Sequence, residues 1–227
     1  MKTSSLFRMI VPIVMVTILQ GTTIAQMVGI KKIEFQKHYR FQKDAMWCWA
    51  TSAEMVLSYE GILLKQEEIV RHIKGGVYSM TGSIFDMIRV TNCILKDSME
   101  NNTILSGQYI IGAPYPNVLF NQLKNKRPVI LNYNSGHAIG HAIVLTGIDY
   151  VKNPDNTITI TKCYIFDPFS YAQSYDILGK PFLKADSSLS YKEYFLQMDK
   201  LGNVQLLSSS GFVGIISGVI LIDAAYI

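Results

Sequence analysis

At Pro128 the hydrophobic pattern of this 227-residue chain changes period, and that switch limits what the chain can fold into. Before it, apolar residues recur at helical spacing. Residues 50–59 carry Ala53, Val56 and Leu57 behind Trp49, with Gly61 where a helix would stop. Residues 65–73 are acidic early, basic late and halted by Gly75-Gly76. Residues 83–90 and 116–124 read as two further helices, the last with proline near its start. After Pro128, strand-like runs take over: Val129-Ile130-Leu131-Asn132-Tyr133 and Ala142-Ile143-Val144-Leu145-Thr146-Gly147-Ile148. Thr157-Ile158-Thr159-Ile160-Thr161 alternates after the turn-forming Asn153-Pro154-Asp155-Asn156, and Tyr164-Ile165-Phe166 ends at Asp167-Pro168. A helical part followed by a sheet part predicts an α+β domain with a cleft where the two meet.

The first 25 residues have the form of a secretory signal. Lys2 and Arg8 make a basic leading end, residues 9–19 are apolar, and Thr23-Ile24-Ala25 offers small residues before a cut at Gln26. A secreted or periplasmic location is therefore expected, with no stable membrane insertion once the leader is gone, because its apolar stretch is too short to span a bilayer. The remainder, residues 26–227, is long enough for one domain with a substantial core. Losing Lys2 and Arg8 lowers the formal charge from +4 to +2, and no dense Lys/Arg stripe remains, so nucleic acid is not an expected partner. The glycine-broken apolar run at 211–222 fits a pair of buried strands better than an anchor. Asn101-Asn102-Thr103 matches a glycosylation sequon, relevant only in a eukaryotic host.

Three cysteines in an exported chain leave one thiol free. Cys48 stands immediately before the predicted 50–59 helix, where the macrodipole favours a thiolate and unpaired backbone N–H groups are available. Taken alone, Cys48 reads more readily as a small buried hydrophobe between Trp47 and Trp49, a reading the rest of the chain reverses. Gln42, six residues upstream, could place a side-chain amide beside it as an oxyanion donor. Cys93 and Cys163 could pair, but 70 residues separate them and two inert buried thiols are expected.

A cysteine nucleophile needs a base, and histidine suits that role near neutral pH. His38 and His72 lie in charged surroundings and read as surface residues. His137 and His141 share near-identical Gly-His-Ala-Ile contexts. His141 is favoured because a rigid strand positions a catalytic group better than the glycine-flanked loop around His137. Asp167 closes a later strand and could steady the imidazole, although it could equally cap the Asp-Pro turn. Asp149 follows His141 at the far end of the same strand, roughly 25 Å away, which excludes it as a direct partner.

The order Gln42, Cys48, His141, Asp167 resembles the papain-like cysteine peptidases over nearly the whole chain after the leader. The six-residue step from Gln42 to Cys48, the Cys48-Trp49-Ala50 that follows, and Gly140-His141-Ala142-Ile143-Val144 opening a strand carry the likeness. More narrowly, Trp47-Cys48-Trp49-Ala50 running into Met55-Val56-Leu57-Ser58-Tyr59-Glu60-Gly61 is similar to a compact bacterial branch. That branch includes staphopain-like secreted enzymes, AvrRpt-type effector proteases and C39-like peptidases. The resemblance implies a two-lobe fold, with a helical lobe at about 47–127, an antiparallel β-sheet or barrel lobe at about 128–227, and the site between them. It implies Cys48 as nucleophile, His141 as base, Gln42 as oxyanion donor, and Asp167 in the place held by Asn in papain.

Residues 107–116 and 169–181 are then the expected cleft walls, peptide or protein the substrate, and no cofactor or metal is called for. With only about 20 residues between the expected cut and Cys48, there is no room for a long inhibitory propeptide, so control would rest on export or a separate protein inhibitor. The same chemistry also suits a cell-wall amidase, an acyltransferase or a transglutaminase-like enzyme, and a silent fold of this kind would serve as a peptide-binding module.

Overall fold

The computed structural model describes residues 25–96, 102–136 and 140–226. The expected leader apart from Ala25, His137, and Asn101 of the sequon lie outside the described residues. The chain runs β1 (Gln26–Gly29), α1 (Lys32–Phe35), α2 (Cys48–Tyr59), α3 (Gln66–Lys74), α4 (Ile84–Thr91), β2 (Cys93–Lys96), β3 (Asn102–Ile111) and α5 (Pro116–Lys124). It continues almost entirely as strand: β4 (Val129–Asn134), β5 (His141–Lys152), β6 (Ile158–Phe166), β7 (Tyr171–Tyr175), β8 (Pro181–Ala185), β9 (Tyr191–Met198), β10 (Val204–Ser208) and β11 (Gly211–Tyr226). Among the described residues no helix is long and apolar enough to cross a membrane.

The strands close into a barrel. The ladder β5–β6–β9–β10–β11 returns to its start because β4 pairs with both β11 and β5, and every pairing is antiparallel. Two long strands bend to allow this. The register of β5 shifts between Leu145 and Gly147, and that of β11 between Ile216 and Gly218. Such bulges add twist and turn a strand away from its ladder. Beyond its bulge β5 takes on β1, and the far half of β11 takes on β3, which carries β2.

Because side chains alternate across a strand, the same strands serve two cores. Val129, Leu131, Ile143, Leu145, Ile165 and Val219 fill the barrel, closed at one end by Leu119 and Leu123 of α5. Ile130, Ala142, Val144, Phe166, Ile220 and Ile222 point out of it and pack against α2, α3 and α4. This is why β4 and β5 read as continuous apolar runs: both faces are covered. The helix α2 is buried from Trp49 to Ser58, with Ala50 and Ala53 allowing close approach to the sheet.

The α+β class is as expected, with few helices and a β-barrel. The helical character assigned to residues 47–127 needs correction, since β2 and β3 occupy part of it and add to the sheet. The 211–222 run is one strand, not two. Its glycines do not break it: a Cβ at Gly214 would run into the Tyr133 ring, and one at Gly218 into the Tyr109 ring, so both admit a crossing side chain.

One buried side chain ties the approach to α2 in place. Gln66 is 1% exposed; its Oε1 accepts from Lys43 N and Thr51 Oγ1 at 2.9 Å each, while its Nε2 donates to Phe41 O and Glu54 Oε2 at 3.1 Å each. Residues on either side of Gln42 are thus fixed by one amide. Removing it leaves several buried groups unpaired, each costly in a low-dielectric interior. Gln66→Leu should lower unfolding stability by about 2–4 kcal/mol, read from urea denaturation midpoints. A loss within about 0.5 kcal/mol, the range of an ordinary surface change, would show that the network adds nothing.

Candidate active site

Cys48 is the first residue of α2, whose start is unusual. Trp47 at the N-cap supplies no side-chain acceptor, whereas α4 opens conventionally with Ser83 accepting from Asp86 N. The first N–H groups of α2 are therefore left without the usual capping oxygen. The two tryptophans flanking Cys48 serve the wall beside it: Trp47 Nε1 donates to Tyr78 O at 2.8 Å and Trp49 Nε1 to Met80 O at 3.2 Å. Gly82 lies flat on Trp49, where a Cβ would come within 2.6 Å of the indole.

His141 opens β5, paired across to Tyr133 of β4, whose ring meets the imidazole edge-on at 5.5 Å. The distance between α2 and this histidine is set one turn on from Cys48. Ser52 lies on the same helix face as Cys48 and donates to Ala142 O at 3.1 Å. With Ser52 pinned next to His141, the Cys48 thiol is brought beside the imidazole. They share the wall of a cavity of about 230 Å³, together with Gly82, Tyr109, Asn132 and Ser217. The Nδ2 of Asn132 is buried and unpartnered among the described residues.

Asp167 follows β6, which neighbours β5, and is 3% exposed. Its Oδ1 receives His141 Nε2 at 2.7 Å and Phe169 N at 2.8 Å. Since Nε2 faces Asp167, Nδ1 is the nitrogen left for Cys48. The turn around Asp167 is itself held: Tyr39 Oη donates to Asp167 O at 3.0 Å, and Gln42 N to Pro168 O at 3.1 Å. Lys192 of β9 places Nζ 2.6 Å from Asp167 Oδ2.

The four residues anticipated from sequence are not placed alike. Cys48, His141 and Asp167 come together in one line. Gln42 lies beside that line, 3% exposed, but its Nε2 donates to Asp44 O and Ala45 O at 3.0 Å each. Its Oε1 is buried without a partner among the described residues. Asp149 is far from His141 and accepts from Tyr164 Oη at 2.9 Å instead. Of the anticipated walls, Tyr109 of β3 lines the Cys48 cavity. Phe169 and Tyr171 border a separate depression next to Gln42 and Ala45. Sequence reasoning missed Ser52 and Lys192, because each acts through a contact distant along the chain. Among the described residues no set of three or more His, Cys, Asp or Glu side chains is arranged to hold a metal.

Burial alone would depress the His141 pKa, but the hydrogen bond to Asp167 and the neighbouring Cys48 outweigh it and push it up to about 10. Burial works against ionised Asp167 as well, and the bonds from His141 and Lys192 hold its carboxyl below the usual range. The other two thiols are unbonded to each other and have no such partner. Burial pushes Cys93 up to about 11 and Cys163 to about 12. The arrangement can therefore hold a proton on an imidazole next to one thiol out of three.

Residues 33–195 match the Peptidase_C39 like family, well over half of the chain. The chain belongs to that family. No curated protein matches it. The family is cysteine-peptidase-like, which implies peptide or protein substrates and hydrolase chemistry, and the matched span contains Gln42, Cys48, His141 and Asp167.

A raised histidine pKa is a stability statement. The proton bound to folded His141 stabilises the fold fully below the unfolded value of about 6.5 and is lost as pH rises through the folded value. Thermal stability of the wild type should fall between pH 6.5 and about 10. Asp167→Asn, lacking the charge that holds the proton, should flatten that dependence. Parallel curves for the two proteins would sink the assignment.

Proposed function

We propose that this chain is an exported cysteine endopeptidase working through a thioester acyl-enzyme. The observation that carries this reading is the single imidazole bonded to buried Asp167 and standing beside the Cys48 thiol, at the wall of one cavity. Family membership supports the peptidase chemistry. The basic, then apolar, then small-residue pattern of residues 1–25 supports secretion or delivery to the periplasm. The papain-like division into a helical lobe and a barrel lobe belongs to the same proposal. It is supported by the two cores, one inside the barrel and one between its outer wall and the helices.

In this mechanism His141 takes the thiol proton, and the resulting thiolate attacks the scissile carbonyl carbon. The carbonyl oxygen gains the electron pair and is met by the backbone N–H of Cys48 at the start of α2, where Trp47 supplies no capping side chain. Collapse expels the amine, which takes the proton from His141, and leaves a thioester. Water then gives a proton to His141 while its oxygen attacks the thioester, and the returning proton restores the thiol. Asp167 holds the imidazole in one orientation and balances its charge throughout. Gln42 joins as second oxyanion donor by turning its amide from the Asp44 and Ala45 carbonyls toward the substrate. A separate protein inhibitor would regulate the enzyme.

Cys48→Ala should abolish turnover of a protein substrate such as casein. Gln42→Ala should cost on the order of 10–1000-fold in kcat; unchanged kcat would remove Gln42 from the mechanism. Iodoacetamide should alkylate wild-type Cys48 well below pH 7. In His141→Ala that labelling should retreat toward the free-thiol value of about 8.5. Labelling that begins only near the free-thiol value in both proteins would overturn the nucleophile–base pair and leave a peptide-binding module. Cleavage of muropeptides but not casein would move the chain to the amidases, and amine release without net hydrolysis to the acyl-transfer enzymes.

A further inference from the structure

Asp167 is gripped from two sides by two different cations. Oδ1 takes His141, and Oδ2 takes Lys192, which reaches in from β9 with its side chain 33% exposed. The strand register fixes this approach: Lys192 pairs with Ile165, and Asp167 N extends the ladder by donating to Ser190 O at 2.8 Å. Cys48, His141, Asp167 and Lys192 thus form a row whose charges alternate in sign when the proton sits on His141. A neutral amide at position 167 would be enough to hold a tautomer. A nearly buried carboxylate paired with a second cation does more, because it places a full positive charge behind the orienting group.

We propose that Lys192 is a positioning residue that acts through Asp167, fixing which carboxylate oxygen faces His141 and setting the pH range in which the Cys48–His141 ion pair exists. The proposal rests on the nucleophile–base reading above. Its geometric part is direct: with Oδ2 committed to Lys192, Oδ1 is left for the imidazole and Phe169 N. Its electrostatic part has a definite sign. A positive charge favours deprotonation of every group within reach, so the lysine opposes the effect of the carboxylate along the row.

Three tyrosines packed around the row are held out of that range. Tyr39 from the segment before α2, Tyr133 from β4 and Tyr194 from β9 are all pushed upward by burial. Tyr171 of β7 donates its hydroxyl to Gln42 O. Lys32 of α1, the neighbouring cation, lies over the ring of Tyr191, 4.5 Å from its centroid.

The test compares the pH dependence of Cys48 alkylation by iodoacetamide in the full chain for wild type, Lys192→Gln, Lys192→Arg and His141→Ala. Lys192→Gln keeps a donor and removes the charge, so its labelling midpoint should rise by ~0.5–1 pH unit. Lys192→Arg should keep the wild-type midpoint. A slower plateau rate with an unmoved midpoint in Lys192→Gln would overturn the proposal, since a lysine that only packs changes rate without moving the titration. If Lys192→Gln does not fold, Lys192→Met, which retains the aliphatic stem, carries the same expectation. Failure of the underlying reading looks different: the wild type itself would label only near the free-thiol pH, indistinguishable from His141→Ala.

Discussion

The seating of α2 on the first residues of β5 is the contact on which the rest of this structure depends. Ala50 and Ala53 present no bulk to the sheet, and Ser52 closes the gap with a hydrogen bond to Ala142 O. Everything chemical is arranged one helical turn or one strand residue from that bond. Cys48 lies a turn back from Ser52, and His141 is the residue before Ala142. A rigid helix and a rigid strand, locked together where they cross, hold two side chains in register better than loops would. The tether at Gln66 extends the same logic upstream by fixing Phe41 and Lys43 on either side of Gln42.

The electrical character of the site follows from where this crossing occurs. It lies between two apolar cores, with Asp167 3% exposed, so each polar contact there weighs heavily. The same burial that pushes the Cys93 and Cys163 thiols up would disfavour charge at His141 and Asp167 too. The difference lies in partners. His141 has a carboxylate and a thiol, and Asp167 has an imidazole, a lysine and a backbone N–H. Three thiols of one chain are thereby sorted into one beside a base and two without one, by neighbours and not by residue type.

Much of this was legible in the residues. Pro116 marks the start of α5, and Gly75, in a left-handed conformation at φ 77, ends α3 as its position suggests. The juxtaposition of Cys48, His141 and Asp167 could be anticipated because each sits at the end of a recognisable element. Other features were not legible, for physical reasons. The strand β3 passes through Gly107, where the backbone of β11 approaches closely, and that glycine imitates a loop. Strands β7 to β10 carry exposed apolar side chains such as Phe182, Leu183, Phe195 and Met198, so the alternation that advertises a half-buried strand is blurred. Barrel closure depends on register shifts in β5 and β11 that leave no mark in composition. Lys192 reads as an ordinary strand lysine because its partner lies 25 residues away along the chain.

The buried row of charges also bears on whether the cleft acts or merely grips. Sequestering the carboxylate of Asp167 carries a desolvation cost that the bonds from His141 and Lys192 outweigh, since they hold its carboxyl below the usual range. A peptide-binding cleft gains nothing from that arrangement, since a neutral residue at 167 would pack as well and leave no charge to satisfy. The placement of His141 between that carboxylate and the thiol at the start of α2 is the arrangement the proposed peptidase chemistry uses. A proton on His141, between Cys48 and Asp167, is the one the proposed mechanism moves.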